Sequence, residues 1–159
     1  MLGKNSNPLL VQTESAVMQK VKPELKNGLQ RAITAGLKIM YESKNGIFTQ
    51  QLSKSQDYAH NVGEGVAKLV GMMFQQSKKT MPMNIAIPAA TVFMCEGLDF
   101  LEKAGKVKVT PELLAEATQD MSASVLQLFG VTPEKMQQMI AAKQGGQPAT
   151  PPAGILAGA

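Results

Sequence analysis

The chain writes the same helix start twice. Val109-Thr110-Pro111-Glu112 and Val131-Thr132-Pro133-Glu134 each place a hydroxyl at the N-cap, a proline at the first helical position and a carboxylate in the first turn, where the helix dipole favours negative charge. In each, the preceding valine can staple to an apolar residue one turn on, Leu114 and Met136 respectively. Asn7-Pro8 offers a third start of the same chemistry. A four-residue recurrence of this kind reads as convergence on good capping rather than as a duplication. Composition points the same way. Aromatics are 4% of the chain, Trp is absent and Met supplies 11 residues, so thin, flexible side chains must fill the core. Such filling suits close-packed helices better than a sheet sandwich, which leans on aromatic and branched residues.

Read along the chain, helical periodicity recurs between these punctuation marks. After Pro8, Leu10, Val11, Glu14, Val17, Met18 and Val21 predict a first helix over 8–20. Pro23 restarts the chain, and Leu25, Leu29, Ala32, Ile33, Gly36 and Met40 carry a second helix toward a stop at Asn45-Gly46. Residues 47–54 read equally as a short helix or an irregular bridge. From Ser55 the pattern resumes, with Ala59, Val62, Val66, Leu69 and Met73 on one stripe. Beside it, Ala59, Gly63, Ala67 and Gly71 stand at a strict spacing of four. A glycine inside a helix costs roughly 1 kcal/mol against alanine, so this column predicts a groove for close helix packing or for an oligomer contact.

Thr80-Met81-Pro82 marks the next start and leads into the most apolar segment, ending at Ala104-Gly105. Pro88 within it predicts either a kink or a helix that begins near Ile87. The apolar run Ile85 to Cys95, interrupted by Pro88 and followed by Glu96 and Asp99, is too short to span a bilayer. Lys106 to Val109 reads as an extended connector. A helix follows with Leu114, Ala117, Met121, Val125 and Leu128 inward and a stop at Gly130, and a short last helix ends near Gln144. Beyond it the Gly/Pro/Ala-rich stretch 145–159 cannot bury enough surface to offset its ordering. The expectation is therefore an all-α bundle of about five to six helices over 1–144, with a flexible C-terminal tail over 145–159 that includes Ile155 and Leu156 as possible anchors.

Chemistry is sparse. Cys95 is the lone cysteine, which excludes an intrachain disulfide and any multi-cysteine zinc site. His60 shares a helix face with Asp57 and Glu64, a trio that reads as structural pairing because a metal site needs further nitrogen or sulfur ligands. Glu96, Asp99 and Glu102 read as the solvated edge of an amphipathic helix. Gly63-Glu64-Gly65 lacks the strand, the third glycine and the lysine-serine ending of a phosphate loop. No catalytic residue, cofactor site or metal site is expected, and the start of the chain lacks the apolar run of a secretory signal.

Charge is more informative. The net charge is +4, but through Thr80 eleven Lys/Arg face five Asp/Glu, while the remainder holds five against seven. The basic half reads first as a solvated lysine surface that keeps the chain soluble; beside that reading, Lys20, Lys22, Lys26, Arg31 and Lys38 form the candidate set for contact with DNA. Arg31 is the single arginine. Reading of base edges depends on bidentate arginine, so any such contact is expected to neutralise phosphates without reading sequence.

The run from Met81 to Thr132, with Met81-Pro82-Met83-Asn84-Ile85-Ala86-Ile87-Pro88, Glu96-Gly97-Leu98-Asp99-Phe100 and the Thr-Pro-Glu starts, resembles small helical virion proteins of tailed bacteriophages. That resemblance implies a many-copy structural or internal protein, made in the infected bacterial cytoplasm and built into the virion. It would assemble with portal, tail or ejection proteins, or leave with the genome. Competing expectations are a small terminase-like DNA-packaging factor, and a peripheral membrane or chaperone-like helper that exposes Ile85 to Leu101.

Overall fold

A computed structural model describes residues 7–42, 47–132, 134–135 and 137–138, without the side chain of Ile47. Six α-helices and one 3-10 turn are bounded among the described residues, residues 134–135 and 137–138 are helical as well, and no strand occurs among the described residues. They are α1 (Pro8–Lys20), the 3-10 turn Pro23–Leu25, α2 (Lys26–Glu42), α3 (Ile47–Leu52), α4 (Tyr58–Gln76), α5 (Met83–Lys103) and α6 (Pro111–Leu128). The all-α expectation holds. The chain divides into two compact units after Leu128; the expected stop at Asn45-Gly46, the boundary near Gln144 and the tail 145–159 lie outside the described residues.

The expected caps explain where the helices begin. Asn7 accepts the Leu9 N–H through its side chain at 2.9 Å, and Thr110 Oγ1 accepts from Leu113 N at 3.1 Å. In the second unit Thr132 Oγ1 accepts from Lys135 N at 3.2 Å, so the repeated motif caps both times. The structure also fixes two helix starts that the pattern left open. α4 starts at Tyr58 because Asp57, not Ser55, is its N-cap, its carboxylate accepting the His60 N–H. Ser55 instead donates to Asn61 Oδ1, while Asn61 Nδ2 donates to the Leu52 and Ser55 carbonyls at 3.0 and 2.8 Å. This buried amide closes the α3–α4 turn, and 47–52 is helical. α5 begins at Met83 and passes through Pro88 rather than beginning near Ile87. Pro88 is the sixth residue of α5 and supplies no amide donor, yet the helix continues through it to Lys103.

α5 is the hub of the first unit, packed by α1, α2, α4 and α6. Paired positions give the directions. Gly36 faces Phe93, and Tyr41 bonds Glu96, so α2 runs parallel to α5. Asn7 Nδ2 reaches the Glu102 carboxylate at 3.1 Å, so α1 runs antiparallel to it. Gly97 packs against Val62, while Met73 and Met81 line one pocket, so α4 is antiparallel as well. With four helices packed on it, α5 is buried throughout residues 89–99, and the expected solvated stripe is corrected: Glu96 and Asp99 are 4% and 6% exposed, while Glu102 is half-buried. An 18-residue window of α5 is long and apolar enough to cross a membrane by length and composition, with mean hydropathy 1.3. However, 72% of that window is buried within the structure. The apolar stretch is therefore longer than Ile85 to Cys95, and the surface that a membrane or chaperone role requires is covered by neighbouring helices.

The small-residue column finds its partner inside the chain. α4 and α6 share the most extensive helix pairing of the fold. A Cβ on Gly63 would stand 2.8 Å from Asp120 Cβ and 2.9 Å from the Met121 backbone nitrogen, whereas one on Gly71 would sit 3.7 Å from Leu128. Gly63→Ala is therefore expected to destabilise by about 1–2 kcal/mol, since α6 must move away. Gly71→Ala should be neutral or stabilise by up to about 1 kcal/mol through helix propensity. Urea unfolding of the two variants checks the difference in sign.

Candidate nucleic-acid interface

The antiparallel and parallel runs bring five chain segments to one end of the bundle. These are the end of α1, the 3-10 turn, the start of α2, the turn after α4 and the start of α5. Two open surface pockets of about 430 Å³ each flank the first turns of α5. On one side Lys20 and Lys22 border a pocket floored by Val17, Val21, Leu25 and Ile87. On the other, Arg31 borders a pocket completed by Ser77, Thr80, Pro82 and Ile85. Lys26 opens α2 between them, and Lys78 and Lys79 form the turn leading into α5. All six cationic residues are exposed, against the single carboxylate of Glu24 in the same segments. α5 itself has no acidic residue in its first turn and no side-chain cap, Pro82 standing at its N-cap. The positive end of its dipole thus adds to the lysines instead of being neutralised.

The turn carrying Lys78 and Lys79 is unusual. Both residues adopt left-handed backbone, with φ of 56° and 63°, a conformation that costs a residue bearing a Cβ about 1–2 kcal/mol. Elsewhere the described chain meets this requirement with glycine, at Gly105 and Gly130. The surrounding bonds hold the two lysines in place. Lys79 N–H donates to the Phe74 carbonyl at 2.8 Å and Lys78 N–H to that of Gln75 at 2.9 Å. Ser77 Oγ donates to Phe74 O and accepts from Met81 N, and Thr80 Oγ1 donates to Ser77 O at 2.6 Å. These bonds close the end of α4 and over-determine the turn, which keeps two residues bearing a Cβ in left-handed backbone.

Of the residues singled out from the sequence, the structure gathers Lys20, Lys22, Lys26 and Arg31 at this end. Lys38 lies apart, twelve residues beyond Lys26, about 18 Å along the helix, where it approaches Glu42 at 3.9 Å. Lys78, Lys79 and the α5 start were not singled out. The signal available was the absence of glycine or asparagine in the Ser77-Lys78-Lys79-Thr80 break between two helices.

The His60 trio also resolves differently. Asp57 serves as the cap, while His60 Nδ1 lies 3.4 Å from Asp120 of α6 and Nε2 lies 3.8 Å from Glu64. Glu64 is held by Lys54 at 2.8 Å and Lys68 at 3.2 Å, and these bonds lower its carboxyl to a pKa of about 2. Among the described residues no group of three or more His, Cys, Asp and Glu side chains is placed to hold a metal ion. Cys95 is fully buried in α5, and burial, with the charges of Glu14 and Glu96, raises its thiol above the ordinary range. A protonated buried thiol is a poor nucleophile.

Ala59, Gly63 and Ala67 are buried and Gly71 is half-buried; α6 lies against the glycines of that column, which is thus not a surface open to a second copy. Compared with models of known families, with curated proteins and with solved structures, the chain shows no match.

Proposed function

We propose that the chain is a non-enzymatic assembly protein whose basic end holds DNA by its phosphates without reading sequence. On the resemblance of Met81 to Thr132 we place it in a tailed-phage particle, as a structural or internal protein beside portal, tail or ejection proteins. The observation that carries the DNA contact is the lysine pair at Lys78 and Lys79, kept in left-handed backbone where glycine relieves the strain. Around it stand Lys20, Lys22, Lys26 and Arg31, all exposed. Lysine ammonium groups act as point charges toward phosphate, and with one arginine in the chain bidentate base recognition has little to work with. The proposal includes self-association, through a surface other than the Ala59-Gly63-Ala67-Gly71 column because α6 occupies it.

Anisotropy of a labelled duplex tests the placement. Lys20→Gln with Lys22→Gln should weaken binding roughly tenfold or more at moderate salt, whereas Lys106→Gln with Lys108→Gln, in the connector at the opposite end, should change it less than about twofold. Equal losses from the two pairs would contradict the basic end as the binding surface.

A further inference from the structure

The attachment of α1 has a consequence that DNA contact does not use. Of its 13 residues only Leu10 and Glu14 are buried, and Glu14 sets a carboxylate in that face, where burial returns less than an apolar side chain would. Among the helices, α5 is the one on which α1 packs extensively. Under its second half that packing is open, because Val17 and Val21 share a pocket of about 430 Å³ with Ile87, Pro88 and Thr91. Past its end Val21 and Lys22 are extended, with ψ of 130° and 142°, and Pro23 follows. The helical hydrogen-bond ladder therefore stops between α1 and α2. At the front, Asn7 Nδ2 donates to both Glu102 carboxylate oxygens at 3.1 and 3.2 Å, and Glu102 Oε2 also accepts the Val109 N–H at 2.7 Å. We propose that α1 is a releasable strap, hinged at Val21-Lys22-Pro23 and latched by Asn7 on Glu102, which opens while the other helices of its unit stay packed.

What the strap covers follows from its two ends. Val17 shares its pocket with Pro88 and Thr91, and Asn7 bonds Glu102. Steps of three and four along α5 join those positions through Cys95 and Leu98. The charge of Glu14 acts on the Cys95 thiol, which places that part of α1 over it. Release thus bares one line of the most apolar helix, while α2 stays seated at Phe93 and α4 at Gly97. A helix of 13 residues is marginal in water by itself, so the released strap melts and regains chain entropy. Opening one short segment exposes far less surface than unfolding the unit, which makes it the cheaper event. The closed bundle withholds this face of α5 and the open one offers it as contact area, an order–disorder device built into the start of the fold.

Cys95 is the single cysteine and is fully buried, so its reaction with N-ethylmaleimide reports the opening. The whole chain is labelled across urea concentrations below its unfolding transition and followed by mass spectrometry. Cys95 should react roughly 100-fold or more faster than global unfolding permits. Its rate should stay nearly flat in urea, because the slope scales with the surface exposed. Asn7→Asp keeps the acceptor that caps α1 but sets a second carboxylate against Glu102. That variant should label roughly tenfold faster or more, still flat in urea. As a control, Ala90→Cys in a Cys95→Ala chain moves the thiol to a fully buried position two turns before Gly97, on the α4 side of the same helix. The moved thiol should react only through global unfolding, with its full urea slope. Should the control fail to fold, the wild-type slope still decides. Cys95 labelling that carries the full slope of global unfolding, a rate unchanged by Asn7→Asp, or a moved thiol as reactive as Cys95 would overturn the proposal.

Discussion

Lys78→Gly combined with Lys79→Gly is expected to make the protein more stable and a weaker binder of DNA at once. The two effects have separate causes. Both residues stand at positive φ, where a Cβ costs about 1–2 kcal/mol per residue; glycine removes that cost but gains freedom in the unfolded chain. The net gain is roughly 1 kcal/mol for the pair, a rise of a few degrees in Tm. The turn itself should survive, because its bonds run through the backbone and through Ser77 and Thr80. For DNA, each lost phosphate contact lowers the salt slope by about 0.9, so removal of two weakens binding roughly tenfold or more near 0.1 M salt. Thermal unfolding and anisotropy on the same preparation measure both. Loss of stability with unchanged affinity would mean that the lysines serve the turn and not a ligand.

The second large effect concerns the contact that seats α2 on the central helix. Phe93 is fully buried in α5, and a Cβ placed on Gly36 would overlap its ring. Phe93→Ala should cost about 3–5 kcal/mol through lost transfer energy and the cavity left behind, a large part of the roughly 5–15 kcal/mol that holds a domain folded. Gly36→Ala in the native background should destabilise by about 1–2 kcal/mol, because displacement of a packed ring outweighs the helix-propensity gain of about 1 kcal/mol. In the Phe93→Ala background the ring is gone. The same substitution should then be neutral or stabilise by about 1 kcal/mol, a coupling of about 1–3 kcal/mol. Urea unfolding of the four-member cycle measures it, and simple additivity would show that α2 does not rest on Phe93.

How much of this was legible follows from which forces are local. Thr110, Thr132 and Asn7 announced their caps because capping involves residues three or fewer apart. Gly63 announced close packing, since glycine at strict spacing inside a helix has few other uses. The partner of that packing was not written locally: Asp120 and Met121 lie far along the chain, and only the fold returns α6 to the groove. Glu96 and Asp99 looked like a solvated edge because periodicity reports one helix at a time, and it was the enclosure of α5 by four others that buried them. The basic half was legible as a count, but its gathering at one end depends on helix directions. That is why the sequence groups Lys38 with Lys20 and Arg31 although it lies farther along α2, and why it does not show Lys78 and Lys79 beside them.

The most direct test is the affinity of the intact protein for two short duplexes of unrelated sequence, followed by anisotropy across a range of sodium chloride concentrations. Six exposed cations at one end should give a log–log slope between about −3 and −5, superimposable for the two duplexes. No binding at the lowest salt, or roughly 100-fold preference for one duplex, would contradict a surface that grips phosphates and ignores bases.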